Sequence, residues 1–166
     1  TLMSTSQPIL DVRNLKVHFP VYKGVVFKHR IGEVKAVDGV SFTIDRGETL
    51  GLVGESGSGK TTTGQAILQI IPPTEGDVLF ESESIVGTTG PEERDLRRVM
   101  QMIFQDPFSS LNPRMKVGSI IGEPLLVHNV MSWGPDLDQR VAELLSMVGL
   151  SPSMADRYPH EFSGGQ

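Results

Sequence analysis

Alternating apolar and polar positions predict that the first part of the chain is rich in β-strands. Residues 9–19 alternate as a half-buried strand does, and we expect Pro20 to end this strand. Short apolar runs bounded by turn residues predict further strands, two of which meet at the Asp38-Gly39 turn. Residues 21–33 are predicted to form a long irregular connection. The predicted strands span residues 9–19, 34–37, 40–44, 49–53, 78–80 and 99–104.

Helical patterns take over in the second part of the chain. Residues 117–127 are apolar around a central Glu-Pro pair, and a second stripe with helical spacing ends at Gly149. The members of this stripe are Leu137, Val141, Leu144, Leu145 and Val148. Because the strand patterns stop near residue 108, we expect two domains, a mixed α/β part at 1–107 and a helical part at 108–166.

Two helices are also predicted within the α/β part. Residues 61–71 follow a glycine-rich turn, and we expect the helix to end at Pro72-Pro73. Residues 91–98 begin with proline and carry acidic residues in the first turn, as helix N-termini often do. Strands and helices therefore share this part of the chain, which indicates an α/β fold.

Composition limits the functional classes. The chain has 166 residues, of which 38% are hydrophobic and 21% are charged, as expected for a globular domain. The net charge of −5 argues against nucleic acid as a partner. Cysteine is absent, which excludes disulfides and cysteine-ligated metals within this sequence. No apolar run is long enough to cross a membrane.

The strongest chemical signal is the phosphate loop, residues 54–61. Its sequence, Gly-Glu-Ser-Gly-Ser-Gly-Lys-Thr, fits the pattern G-x-x-x-x-G-K-[ST] without a mismatch, between a predicted strand and a predicted helix. The glycines allow tight backbone turns whose N–H groups converge on phosphate oxygens, at the positive end of the next helix. Lys60 supplies a charge for the β- and γ-phosphates, and the Thr61 hydroxyl supplies a ligand for Mg²⁺. The alternative is a chance glycine-rich turn.

A second signal lies at residues 163–166, Ser-Gly-Gly-Gln. Serine followed three residues later by glutamine is a capping-box pattern, and the two glycines would let the backbone approach an anion closely. Its plain alternative is a helix start after a loop. About a hundred residues separate it from the phosphate loop. That order favours a functional interpretation.

Together these motifs resemble the nucleotide-binding subunit of ATP-binding cassette (ABC) transporters. The resemblance rests on GESGSGKTT, on Gln105, on a helical segment and on FSGGQ at residues 162–166. The usual signature begins with leucine, so Phe162 is a conservative departure. The detail is similar to the ATPases of dipeptide and oligopeptide importers. Residues 20–33, the run FQDPFSSLNP at 104–113 and RYPHEFSGGQ at 157–166 carry that similarity.

The resemblance assigns expected roles to individual residues. Phe19 would stack on the adenine of ATP, although a core phenylalanine is the alternative. Gln105 would reach Mg²⁺ and the attacking water, with Lys60 as the other catalytic residue; a polar residue at a strand end is the alternative for Gln105. Thr61 and Gln105 would be the metal ligands. The expected nucleotide-binding residues are Phe19, Gly54, Glu55, Ser56, Gly57, Ser58, Gly59, Lys60, Thr61, Thr62, Ser163, Gly164, Gly165 and Gln166.

The resemblance also implies a fold, a function and partners. The fold would be a P-loop NTPase core with an N-terminal antiparallel β part and a helical subdomain. ATP and Mg²⁺ would be the cofactors of an ATPase that drives import of a solute, with peptides the favoured class. A second ATP-binding subunit, membrane permease subunits and, indirectly, a solute-binding protein would be its partners. We expect it at the cytoplasmic face of the membrane, as a peripheral protein.

The motifs that complete hydrolysis in this family are absent from residues 1–166. They are the Mg²⁺-binding Asp after an apolar strand, the adjacent catalytic Glu and the switch His. We therefore expect a chain truncated at the signature, lacking the C-terminal part of the core. Alone, it should not hydrolyse ATP and should have low stability.

Two other classes share the phosphate loop. A DNA-repair or chromosome-organising ABC ATPase predicts a coiled-coil or zinc insert and a basic face, and the sequence has neither. A small-molecule P-loop kinase predicts an arginine-rich lid, and it leaves the Phe-Ser-Gly-Gly-Gln segment without a role. These remain the alternatives to an importer subunit.

Overall fold

A computed structural model of the chain describes residues 7–23, 29–106 and 110–166. The chain divides into two compact units, Thr1–Met102 and Ile103–Gln166. The domain boundary predicted near residue 108 falls just after this division, beside residues 107–109, which lie outside the described part. The strands are β1 (Leu10–Lys23), β2 (His29–Ile44), β3 (Glu75–Phe80) and β4 (Glu83–Ser84). The α-helices are α1 (Lys60–Ile67), α2 (Pro91–Val99), α3 (Val117–Val127) and α4 (Pro135–Met147).

The first unit is built on an antiparallel sheet in the order β2-β1-β3-β4. The prediction that Pro20 ends the first strand is wrong, because Pro20 pairs with Glu33 and the strand continues. Proline is tolerated there because the pairing of β1 with β3 ends at Lys16, so the missing N–H of Pro20 interrupts no ladder on that side. An irregular connection was predicted over residues 21–33, but residues 21–23 and 29–33 are strand, and residues 24–28 lie outside the described part.

Strand β2 is one continuous strand rather than two pieces around a turn. Gly39 has a φ of 84° and lies at a register shift, where two residues of β2 face one residue of β1. A second shift follows at Ala36, because Val17 pairs with Val37 while the next residue, His18, pairs with Lys35. Two bulges therefore replace the predicted Asp38-Gly39 turn.

One hydrophobic core joins the sheet to α1 and α2. Alternation along β1 sends Leu10, Val12, Leu15 and Val17 to the buried face. Burial of each such side chain contributes about 1.5–3 kcal/mol. The other buried members of this core are Val37, Ala66, Val78, Ile85 and Leu96.

Two predicted strands do not form. Residues 49–53 have no strand conformation and Val53 is 90% exposed, so the prediction of a buried strand there is wrong. The predicted strand at 99–104 is also wrong, because α2 extends to Val99 and Ile103 is 97% exposed. A strand requires a neighbour to pair with, and no described strand pairs with either segment.

The predicted helices form, with shifted ends. Helix α1 ends at Ile67, before the expected stop at Pro72-Pro73. In the second unit α3 retains Pro124 within it, and α4 ends ahead of Gly149, whose φ is 79°. The buried residues of α4 are Leu137, Val141 and Leu145. None of the described helices combines the length and apolar character needed to span a bilayer.

Candidate nucleotide-binding site

The phosphate loop leads directly into α1 and turns twice through backbone conformations that favour glycine. Gly57 has a φ of 82°, and Gly59, the residue that caps α1, has a φ of 91°. Between them the loop closes a turn, because the N–H of Ser58 donates to the carbonyl of Glu55 at 3.2 Å. Glycine is the residue that adopts these positive φ angles without strain.

The end of the loop lies against the bulge of β2. A Cβ atom built on Gly59 would lie 2.2 Å from the carbonyl oxygen of Ala36 and 3.6 Å from a methyl group of Val37. A side chain at this position would collide with backbone. The third glycine of the motif is therefore required by close contact between the loop and the sheet as well as by its φ.

The first turn of α1 leaves backbone donors available. Thr63 donates from its backbone N–H (2.8 Å) and its hydroxyl (2.9 Å) to the carbonyl of Gly59. The N–H groups of Lys60, Thr61 and Thr62 precede this first intrahelical bond, so they have no acceptor within the helix. Together with the helix dipole they form a positive end that favours a phosphate group.

The charged amine of Lys60 is held over the loop. Its Nζ donates to the carbonyl oxygens of Gly54 and Glu55, both at 2.7 Å, and to the hydroxyl of Ser58 at 3.3 Å. Gly54 and Ser58 are themselves close, since a Cβ on Gly54 would lie 2.6 Å from the Ser58 hydroxyl. The loop thus combines one cation with several neutral N–H donors, a donor set that suits a polyphosphate.

The ligands for a metal ion are sparse in the described part of the chain. No group of three or more His, Asp or Glu side chains there could hold an ion. Thr61 is exposed at the second position of α1 and offers one hydroxyl. Mg²⁺ in nucleotide sites takes few protein ligands and keeps water and phosphate oxygens, so the residues present fit it in company with a triphosphate.

Phe19 lies on an apolar ledge, defined here as Phe19, Val21 and Val34. Phe19 pairs with Val34 across the hairpin, and Val21 pairs with Gly32. Phe19 is 40% exposed, so the alternative of a core phenylalanine describes it poorly. Since paired residues share a face and faces alternate along a strand, the ledge continues the face that is buried at Val17.

Charged side chains occupy the opposite face of the same hairpin. His18 donates from Nε2 to Asp38 at 2.9 Å, and Lys35 donates to Asp38 at 3.3 Å. Both hydrogen bonds lower the pKa of the Asp38 carboxyl below its ordinary value, and the one from His18 has the larger effect. On the same face Lys16 binds Glu75 at 2.6 Å, which lowers the pKa of Glu75 and raises that of Lys16.

Gln105 belongs to the second unit and is exposed. It was predicted at the end of a strand, but the residues before it form none, so that part of the prediction is wrong. Its assignment to magnesium and the attacking water stays a prediction.

Residues 163–166 form a closed turn in the second unit. The backbone N–H of Ser163 donates to the side-chain oxygen of Gln166 at 3.1 Å, and the N–H of Gln166 donates to the carbonyl of Ser163 at 2.9 Å. One of the two hydrogen bonds expected of a capping box is therefore present. A Cβ on Gly165 would meet nothing within 4 Å, so its backbone is open to an approaching group.

Phe162 lines an apolar groove of about 430 Å³ in the second unit. Residues of α3 and α4 line the groove together with Leu111, Val148, Leu150, Pro159, and Ser163, Gly164 and Gln166 of the turn. An aromatic side chain therefore has apolar neighbours at this position.

One contributor to the phosphate site was not found from the sequence. Ala36 offers no chemical group of interest, and its role comes from the bulge that directs its carbonyl toward Gly59. A bulge on β2 is set by pairing with β1. No local pattern at residues 34–37 could have indicated it.

The chain matches the model of a known protein family over most of its length. The model of the family described as ABC transporter matches residues 37–166, which include the phosphate loop and the Ser-Gly-Gly-Gln turn. The chain belongs to the ABC transporter family. The resemblance inferred from the motifs is thus confirmed, and so is the fold class.

Curated members of the ABC family resemble the chain along nearly its whole length. It is 49% identical to the oligopeptide transport ATP-binding protein AppF of Bacillus subtilis over 164 residues, which is 98% of the chain and 49% of AppF. It is 49% identical to OppF of the same organism, over 97% of the chain and 50% of OppF. The glutathione import ATP-binding protein GsiA of Pectobacterium atrosepticum is 51% identical over 100% of the chain and 26% of GsiA. The chain therefore spans half or less of these relatives.

Solved ABC cassettes share its fold. A dimeric post-hydrolysis structure of the cassette MJ0796, bound to ADP and Pi, superposes with a TM-score of 0.73 at 25% identity, over 95% of this chain and 64% of that one. A second dimeric structure of MJ0796 gives a TM-score of 0.74 at 26% identity, with the same coverage. The neighbours are thus dimeric cassettes, one of which holds nucleotide.

Proposed function

We propose that the chain is the nucleotide-binding part of an ATPase subunit of an ABC importer, which couples ATP binding and hydrolysis to uptake of a solute, with peptides the favoured class. The observation that carries the ATP assignment is the phosphate loop, where Lys60 and the free N–H groups of α1 converge. The importer assignment is supported by relatives named for oligopeptide transport and glutathione import, rather than for DNA repair or small-molecule phosphorylation.

The proposed roles follow from the chemistry of each group. Residues 54–62 bind the phosphates, with Lys60 neutralising charge at the γ-phosphate as it develops. Phe19 takes the adenine. Thr61 would hold Mg²⁺ with Gln105, and the bound ion would supply charge neutralisation and fix the orientation of the phosphates. The turn of Ser163, Gly164, Gly165 and Gln166 would contact the γ-phosphate of a nucleotide held by a second subunit.

The partners proposed are the second ATP-binding subunit, the permease subunits and, through them, a solute-binding protein. Residues 1–107 would serve as the ATP-binding core and residues 108–166 as the helical subdomain that contacts the permease. The subunit would sit at the cytoplasmic face of the membrane. Dimeric neighbours among the cassettes support pairing, whether with an identical or a different subunit.

The test is ATP binding and turnover by the full-length protein that contains this sequence. Lys60→Ala should lower ATP turnover by about 100-fold or more, because it removes the charge that follows the γ-phosphate. Lys116→Ala is the matched control, since that lysine lies in the second unit in an exposed ion pair with Asp156. Unchanged turnover in Lys60→Ala would exclude the proposed ATP site.

The transport class needs a separate experiment. The full-length protein, assembled with its permease subunits in lipid vesicles, should show ATP turnover stimulated by a solute-binding protein loaded with short peptides. Amino acids and sugars serve as controls. Stimulation by a sugar but not by any peptide would retain the ATPase and overturn the peptide assignment.

A further inference from the structure

The apolar ledge of the β1–β2 hairpin contains a residue that the motifs do not assign. Val34 is 55% exposed, although its cross-strand partner Phe19 lies on the face that β1 buries further along the sheet. Beyond Val17 and Val37, which are buried, that face leaves the core and carries Phe19, Val21 and Val34 into solvent. Three neighbouring apolar side chains exposed on one face suit a flat, uncharged ligand group.

The ledge is continuous with the phosphate loop. Val37 touches the Cβ position of Gly59, and the carbonyl of Ala36 lies beside the same glycine. The residues beside the end of the loop, Ala36 and Val37, thus follow Val34 by two and three positions along β2. A group attached to a loop-bound triphosphate would extend along this face of the hairpin.

Charge is segregated away from the ledge. The hairpin's ion pairs, which join His18 and Lys35 to Asp38, lie on the opposite face. Gly32, opposite Val21, adds no side chain, and a Cβ there would meet nothing within 4 Å. Within the ledge a planar ring can therefore lie without desolvating a charge. The next side chain of β1 on this face is the charged Lys23, which lies beyond Val21 and pairs with His29.

We propose that Val34 is a second positioning residue for the nucleotide base, forming with Phe19 a platform of two strands on which the purine lies. The proposal rests on the proposed ATP-binding function. Phe19 supplies the aromatic surface and Val34 the aliphatic surface beside it. The bulge at Ala36 is what gives Val34 this role, because it puts Val34 on the face of Phe19 and Lys35 on the face of His18.

The experiment measures equilibrium binding of two ligands, MgATP and magnesium tripolyphosphate, to the full-length protein. Tripolyphosphate has the same chain of three phosphates as ATP, with one further ionisable oxygen in place of the ribose ester, and it has no base. Val34→Ser should weaken MgATP binding by about 3- to 10-fold, because apolar contact with the base is lost, and should leave tripolyphosphate binding unchanged. Val34→Ile should bind both ligands as the unmodified protein does.

Tyr22→Ser is the matched control. Tyr22 is also 55% exposed, but it pairs with Arg30 on the opposite face of the hairpin. Tyr22→Ser should leave both affinities unchanged. Equal weakening of both ligands by Val34→Ser and Tyr22→Ser would instead indicate general disruption of the hairpin and overturn the proposal.

Other outcomes separate this proposal from the function on which it rests. Normal MgATP binding by Val34→Ser, with binding lost in Phe19→Ala, would remove Val34 from the platform and leave the ATP site intact. If Val34→Ser binds both ligands normally but no longer self-associates, the ledge is a contact surface for a second copy of the chain. If the unmodified protein binds neither ligand, the proposed function itself fails.

Discussion

The carbonyl oxygen of Ala36 lies where a side chain on Gly59 would have to go, 2.2 Å from the position of its Cβ atom. Gly59→Ala should therefore lower the free energy of unfolding by more than about 2 kcal/mol, through left-handed strain and a backbone collision together. Denaturant unfolding of the full-length protein measures this. ATP affinity should fall as well, because the loop must move away from β2.

Gly57→Ala is the control for this prediction. Gly57 has a similar φ of 82°, but a Cβ there would meet nothing within 4 Å. Gly57→Ala should therefore lower the free energy of unfolding only by the cost of the left-handed conformation, about 1–2 kcal/mol. Equal destabilisation by the two variants would mean that the contact with Ala36 does not constrain the loop.

Phe19 should determine how strongly the base contributes to binding. Phe19→Ala is expected to weaken ATP binding by about 1–3 kcal/mol, by analogy with base–aromatic stacking elsewhere, whereas Phe19→Tyr keeps the ring and should be tolerated. Isothermal titration of the two variants with MgATP checks this. Identical affinities would reduce Phe19 to a packing residue.

The hydroxyl of Thr63 should stabilise the start of α1. Thr63 is only 4% exposed, and its hydroxyl shares the carbonyl of Gly59 with the residue's own backbone N–H. Thr63→Val removes that hydrogen bond with little change in volume and should cost about 0.5–1.5 kcal/mol of unfolding free energy. Thr63→Ser retains the hydroxyl. If serine proves the more damaging substitution, methyl packing outweighs the hydrogen bond.

The ion pair of Lys116 and Asp156 predicts a pH dependence in the second unit. Their hydrogen bond at 2.8 Å lowers the pKa of Asp156 below its ordinary value near 3.8 and raises that of Lys116 above 10.5. A carboxyl with a depressed folded-state pKa stabilises the fold above its unfolded pKa, and this stability is lost as the pH falls through the folded value. Asp156→Asn should therefore destabilise at pH 7.

The destabilisation by Asp156→Asn should shrink below about pH 4, where the unmodified carboxyl also becomes neutral. Thermal melts from pH 2 to pH 8, combined with Lys116→Met in a double-mutant cycle, isolate the pair. A difference between Asp156→Asn and the unmodified protein that stays constant down to pH 2 would show that the charge of Asp156 is not involved.

Sequence reasoning succeeded where the determinants are local. The phosphate loop and the helix at residues 91–98 depend on glycine, proline and charge positions within a few residues of each other. Helix α4 follows from a single apolar stripe ended by Gly149. The same holds for family membership, because the motifs that carry it are short and contiguous.

Sequence reasoning failed where the structure of a segment depends on a pairing partner far along the chain. The apolar run at 49–53 has the composition of a buried strand, yet Val53 is exposed and no described strand pairs with the run. Alternation counted back from Val37 would put Lys35, not Val34, on the core face. The bulge reverses that assignment, and only the pairing of β1 with β2 specifies it.

The bulge at Ala36 also determines which changes of chain length the hairpin can accept. Inserting one residue between Val34 and Val37 would move every side chain of β2 before the insertion to the opposite face of the sheet. Val34 would then leave the face of Phe19, and a charged neighbour of Val34 would take its place. Inserting two residues would return Val34 to the face of Phe19. The number of residues between Val34 and Val37 therefore fixes which side chain of β2 lies beside Phe19.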